Sequence, residues 1–135
     1  MPGHNINFLL IEADPSSRQE MTAQLKQLDY GRVACVAEVR EALIVLATGG
    51  VDFVICDWSD SNGPELGLLK LLKAQEVYKY IPFLMMAVPM PSAAQEGERQ
   101  RRVAAARGDG YLTKPCSSAE FRKSIDEILS RFPSL

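Results

Sequence analysis

Four side chains have the types and positions to do chemistry together: Glu12, Asp14, Asp57 and Lys114. Each stands at or just beyond the end of a short apolar run, Phe8–Ile11 for the first two, Phe53–Cys56 for Asp57 and Tyr111–Thr113 for Lys114. If those runs are parallel strands, their carboxyl ends share one edge, and ligands of open α/β sheets gather there. Acids with one lysine suit a divalent cation and a phosphoryl group. Mg²⁺ takes oxygen ligands and is commonly held by one or two carboxylates together with phosphate and water. Lysine serves phosphate as a point charge. A carboxylate can itself attack phosphorus and become an aspartyl phosphate. Taken alone, Asp57 has a plainer reading as a loop cap, because Asp often marks strand ends and Ser59 to Pro64 are all loop formers. Convergence of several segments on one edge is what favours the chemical reading.

The elements that must position these groups alternate along the chain. Asn5–Ile11 ends in the first buried strand. Asp14 followed by Pro15 is an N-cap with proline at the first helical position, and Met21, Leu25 and Leu28 carry a helix to about Leu28. Val33–Val36 is a second strand, and Val39, Leu43 and Leu46 mark a second helix stopped by Gly49 and Gly50. Phe53–Cys56, apolar and rich in β-branched and aromatic residues, reads as a strand buried on both faces. Pro64 opens a third helix, with Leu66, Leu69 and Leu72 on one face and Leu68 and Leu71 widening it. Pro82–Val88 is a fourth strand, and Pro89-Met90-Pro91 a stiff connector. Ser92 with Gln95 starts a fourth helix that ends near Gly108. Tyr111–Thr113 is a fifth strand. Ser117 with Glu120 forms a capping box, after which Phe121, Ile125, Ile128, Leu129 and Phe132 keep the helical period. Five strand–helix pairs without exception call for a parallel sheet covered by helices on both faces.

Composition bounds the function. The 135 residues, 47% apolar and 24% charged, are ordinary for one globular domain spanning 1–135 with a core at about 6–132. A net charge of −2 argues against direct nucleic-acid binding. The apolar runs are too short to span a bilayer and no signal peptide is visible, so the expected location is the cytoplasm. Cys35, Cys56 and Cys116 fit neither a zinc pattern nor a disulfide framework and are expected to be buried, reduced thiols. His4, in a segment expected to fray, makes histidine catalysis unattractive. Pro133-Ser134-Leu135 is expected to fray as well.

The sequence resembles the receiver domains of bacterial two-component response regulators (CheY-like) over about Phe8 to Phe132. The resemblance rests on Phe8-Leu9-Leu10-Ile11-Glu12-Ala13-Asp14-Pro15-Ser16-Ser17-Arg18, on Phe53-Val54-Ile55-Cys56-Asp57-Trp58 and on Gly110-Tyr111-Leu112-Thr113-Lys114-Pro115. It implies a flavodoxin-like α/β fold with strand order 2-1-3-4-5. By the same resemblance Asp57 is the phosphoacceptor and Lys114 contacts the phosphoryl group. Glu12, Asp57 and the backbone carbonyl of Ser59 face Mg²⁺, and Ala87 and Tyr111 hold the switch positions. The Lys114–Pro115 peptide is expected to be cis, as the family's usually is.

Departures from the family pattern carry physical meaning. Ala13 stands where a second acid is usual, which removes an oxygen ligand and lowers the pocket's formal charge from −2 to −1. Mg²⁺ binding is therefore expected to be weak or absent. Asp14 would have to shift its backbone to fill the gap, against its plainer role as the helix N-cap. Ala87 stands where Thr or Ser is usual and has no hydroxyl for a phosphoryl oxygen, so the link to Tyr111 is expected to be damaged or rewired. Asp60-Ser61 and Gly63-Pro64 stand where the family has Met-Pro and Asp-Gly.

The leading expectation is a signalling receiver, not an enzyme beyond self-phosphorylation and self-dephosphorylation, which takes a phosphoryl group from a histidine kinase or phosphotransfer protein. Its effect would pass to a downstream protein, or a second copy in a homodimer, through the face of helix four, strand five and helix five. The alternative is a pseudo-receiver, an interaction module independent of phosphorylation. A flavin- or nucleotide-binding domain is disfavoured because Asp14-Pro15-Ser16-Ser17-Arg18 lacks a glycine-rich phosphate cradle. Arg99, Arg101 and Arg102 read either as a solvated helix face or as a partner site. Trp58 reads either as a lid on the site's rim or as an exposed contact.

Overall fold

The computed structural model describes residues 5–59 and 63–132. Its elements run β1 (Phe8–Ile11), α1 (Pro15–Leu28), β2 (Val33–Val36), α2 (Val39–Thr48), β3 (Phe53–Asp57), α3 (Glu65–Lys73), β4 (Phe83–Ala87), α4 (Ala93–Ala105), β5 (Gly110–Thr113) and α5 (Ser118–Leu129). The five strands are parallel in the order β2-β1-β3-β4-β5. This is the α/β arrangement that the alternating apolar runs require. His4, Asp60-Ser61, Asn62 and Pro133-Ser134-Leu135 lie outside the described residues.

Strand period divides the core in two. Leu9, Ile11, Val54, Cys56, Phe83, Met85 and Ala87 point to the face covered by α2, α3 and α4. Phe8, Leu10, Phe53, Ile55, Leu84 and Met86 point to the face covered by α1 and α5, where they meet Met21, Leu25, Phe121 and Ile125. Because β1, β3 and β4 are covered on both faces, their runs are apolar without alternation. β2 lies at the sheet edge, and there Cys35 is exposed and Val33 and Val36 are half-buried. That corrects the expectation of three buried thiols: Cys56 is buried, Cys116 only partly, and Cys35 not at all.

Helix starts follow the chain's capping chemistry. Asp14 accepts a hydrogen bond from Ser17 N at 2.8 Å. Ser117 and Glu120 form a reciprocal box at the start of α5. The predicted box at Ser92 is half formed: Ser92 Oγ accepts from Gln95 N, but Gln95 returns only to the same hydroxyl. A second complete box, Glu38 with Glu41, opens α2. Two predicted helix faces rotate away from expectation. Leu43 is 38% and Leu71 41% exposed, while Ala42 is fully buried beside Leu46. No helix among the described residues is long and apolar enough to cross a membrane.

Candidate functional site

Strand register builds the site. Ile11 pairs with Cys56, so the next residues, Glu12 and Asp57, leave the sheet at the same level. Ala87 pairs with Thr113, and Lys114 N donates to Ala87 O at 2.8 Å, which delivers the lysine from the other side of the sheet. Lys114–Pro115 is cis, as expected. Lys114 Nζ lies 2.6 Å from Glu12 Oε1 and 3.0 Å from Asp57 Oδ1. Three predicted site residues from the first, third and fifth strands thus meet at one ammonium.

Glu12 is 2% exposed and well supported. Its Oε1 accepts from Lys114 and, at 2.6 Å, from Ser17 Oγ, and its Oε2 accepts from Asp14 N at 3.2 Å. Arg18 donates to its backbone carbonyl at 3.0 Å. Burial opposes the charge, yet the hydrogen bonds from Lys114, Ser17 and the Asp14 backbone hold this carboxyl below the usual range. Asp57 has fewer supports. Burial pushes its carboxyl up, and the Lys114 bond offsets that only in part. For Lys114, burial favours the neutral amine, but hydrogen bonds to Glu12 and Asp57 win and raise its pKa.

Ser17 is the residue that sequence reasoning left without a role. It donates to Glu12 and accepts from Lys114 at 2.9 Å, closing a triangle of hydrogen bonds. The signal was its place one helical turn beyond Glu12, on the first turn of α1, but a serine at a helix start is ordinarily only a cap. A cleft of about 350 Å³ opens beside this triangle, lined by Ser17, Met21, Lys114, Pro115 and Cys116 among others.

Metal chemistry can be judged from the donor set. Asp14 is committed to Ser17 N as the helix cap and its side chain is exposed, so it does not stand in for the missing acid at Ala13. No group of three or more His, Cys, Asp or Glu side chains suited to a metal occurs among the described residues. What remains is Glu12 and Asp57, both bonded to Lys114, with the carbonyl of Ser59 two residues beyond Asp57. Two carboxylates with a carbonyl fit a weakly held Mg²⁺ that keeps several waters.

The two positions expected to act as a switch, Ala87 and Tyr111, differ in kind. Ala87 is fully buried, and its methyl offers no hydrogen bond. The Tyr111 hydroxyl is buried beside the Glu96 carboxylate. Burial first, and then the nearby Glu96 carboxylate, push its pKa up.

Two further expectations need correction. Trp58 is neither a lid on the rim nor an exposed contact; it is fully buried in the core under α3 and α4. Arg99 does not belong to a solvated face either, being 5% exposed. Strand exits leave carbonyls without sheet partners, and a long cation whose stem can be buried reaches them. Arg101 and Arg102 are exposed, although the Arg102 guanidinium stands 5.4 Å from the Trp58 ring centroid.

A doubly covered parallel sheet in the order β2-β1-β3-β4-β5, with an acid–lysine pocket at its carboxyl edge, is the architecture of a flavodoxin-like α/β domain. Comparison with known proteins makes the assignment specific: the response regulator receiver domain matches residues 8–126, and the chain belongs to that family. It is 27% identical over 129 residues to the chemotaxis protein CheY-3 of Vibrio cholerae, covering 94% of each chain. Among solved structures, chemotaxis response regulator CheY4 of Vibrio cholerae shares the fold with a TM-score of 0.78 at 23% identity, over 92% of this chain and 98% of that one. The receiver domain of a sensor histidine kinase from Pseudomonas aeruginosa PAO1, solved with magnesium coordinated in its active-site cleft, matches with a TM-score of 0.75 at 22% identity, over 93% of this chain and 98% of that one. The family is one of two-component signalling modules.

Proposed function

We propose that this single receiver domain accepts a phosphoryl group on Asp57 from the phosphohistidine of a kinase or phosphotransfer protein. The observation that carries the reading is the Lys114 ammonium, 3.0 Å from Asp57 and 2.6 Å from Glu12 at the carboxyl edge of the sheet. An Asp57 oxygen attacks phosphorus, the P–N bond breaks, and the histidine nitrogen leaves with the electron pair and takes a proton. Lys114 moves from carboxylate to phosphoryl oxygen and neutralises charge as it arrives. Glu12, Asp57 and the Ser59 carbonyl would hold Mg²⁺ weakly, and when bound it would neutralise the phosphoryl oxygens. The phosphorylated state is passed to a protein partner, or a second copy, through the face of α4, β5 and α5; Arg101 of α4 is exposed.

A second reading, a binding module that works without phosphorylation, is favoured by one observation: with Ala13 in place of a second acid, no group of three or more side chains suited to a metal occurs among the described residues. Intact mass after incubation with acetyl phosphate, with and without Mg²⁺, separates the two. One added phosphoryl group in wild type, absent in Asp57→Asn, is the expected result. No mass gain under either condition would leave the binding module as the better description.

A further inference from the structure

Two charged residues are buried among the described ones, Glu12 and Arg99, and only the first belongs to the acid pocket. Arg99 lies in the middle of α4, among Gln95, Glu96, Glu98, Gln100, Arg101 and Arg102. One terminal nitrogen donates to the Trp58 carbonyl at 2.5 Å. The other reaches the Val88 carbonyl at 3.2 Å and Met90 Sδ at 3.3 Å. The guanidinium carbon stands 4.6 Å from the centroid of the buried Trp58 ring. Trp58 is the first residue after Asp57, and Val88 the first after Ala87. A single planar fork therefore ties the exit of β3, the exit of β4 and the body of α4 together. Guanidinium stays protonated and its donors are fixed in direction, so displacement of any tied segment must break or re-aim a charged hydrogen bond.

The link continues along α4. Glu96, one turn earlier, accepts from Met90 N at 2.9 Å and faces the buried Tyr111 hydroxyl. Trp58 Nε1 and Arg99 Nε are buried without partners among the described residues, so the hydrogen bonds of this junction run through the two terminal nitrogens of the guanidinium. Ala87, with a methyl where a polar link to α4 would need a hydroxyl, offers no competing route from the end of β4.

We infer that Arg99 is a positioning residue that couples the Asp57 strand end to α4. It fixes the Trp58 carbonyl, and with it the turn that carries Ser59, and it converts a change at Asp57 into a shift of α4 against Tyr111. Its use in signalling rests on Asp57 being the phosphoacceptor, but the coupling is a property of the unmodified chain and is measurable there.

The test is a double-mutant cycle read by hydrogen–deuterium exchange over residues 93–105, comparing wild type, Asp57→Asn, Arg99→Lys and the double variant. Asp57→Asn should change α4 exchange by about threefold or more in the wild-type background. In Arg99→Lys, which keeps the charge but loses the fork, that response should fall below half. Arg99→Met repeats the test without the charge where circular dichroism shows it folded. An equal response to Asp57→Asn with and without Arg99, or no response in wild type, would overturn the inference. The acetyl phosphate mass measurement on the same samples keeps the two ideas apart. Arg99-dependent coupling in a chain that never gains a phosphoryl group supports the coupling and removes the receiver reading. Phosphoryl uptake with Arg99-independent coupling does the reverse.

Discussion

Asp57 leaves the sheet between two buried charges that are held in opposite ways. Toward β1, Glu12 is surrounded by donors from three segments, Lys114, Ser17 and the Asp14 backbone, and its charge is matched by an ammonium. Toward β4, Arg99 meets the carbonyls of Trp58 and Val88, a thioether and an indole face. The first flank is an ion-paired pocket, two carboxylates on one ammonium. The second is a clamp on backbone, rigid because a guanidinium fork and a buried ring admit few arrangements. A signalling site needs both properties close together, one part that rearranges and one that carries the rearrangement away.

The clamp is the easier flank to break. Arg99→Ala leaves the buried Trp58 carbonyl and the part-buried Val88 carbonyl without their charged donor and empties space beside Trp58, and should lower unfolding stability by about 2–4 kcal/mol. Arg101→Ala, two residues on and exposed, should change it by less than about 0.5 kcal/mol. Urea unfolding followed by Trp58 emission measures both, and equal losses would erase the distinction between clamp and surface.

The pocket is better sharpened than broken. Ala13→Asp restores a third carboxylate and should raise Mg²⁺ affinity at least about 10-fold, since even indirect losses around metals cost that much. Titration against Trp58 emission reads it. Unchanged affinity would mean that the wild-type donor set is already complete.

Ser17→Ala opens the triangle and takes one hydrogen bond from Glu12 and one from Lys114. A stability loss of about 1 kcal/mol is expected, measured by the same unfolding assay, with Ser17→Thr closer to wild type. A neutral Ser17→Ala would reduce the serine to a helix-start residue.

The smallest effect separates the two carboxylates by pH. Glu12 titrates below its ordinary 4.5, so its charge stabilises the fold above that pH, and the gain is lost as pH falls through its lowered pKa. Asp57 titrates above its ordinary 3.8, so its ionised form costs stability at neutral pH, and the cost is relieved as pH falls through its raised pKa. At pH 7 Glu12→Gln should therefore lower the Tm and Asp57→Asn raise it, each by a few degrees. Both differences should shrink as the acids protonate. Thermal melts across the acid range check the sign, and a lower Tm for Asp57→Asn would refute it.

The chain's own pattern determined the sheet and most of the pocket. Apolar runs ending at Ile11, Cys56, Ala87 and Thr113 fix where strands stop, and parallel pairing without bulges then brings the next residues to one level. Glu12, Asp57 and Lys114 converge by counting alone, and Asp14-Pro15 and Ser117–Glu120 mark their helices because capping is local chemistry. Arg99, Trp58 and Ser17 were not legible in that way. Which side of a helix is buried depends on its rotation against a neighbour, so Arg99 in a polar helix looked solvated and Leu43 looked buried. What decided both was the tertiary packing: carbonyls left open where β3 and β4 end had to find donors, and α4 lay where Arg99 could supply them.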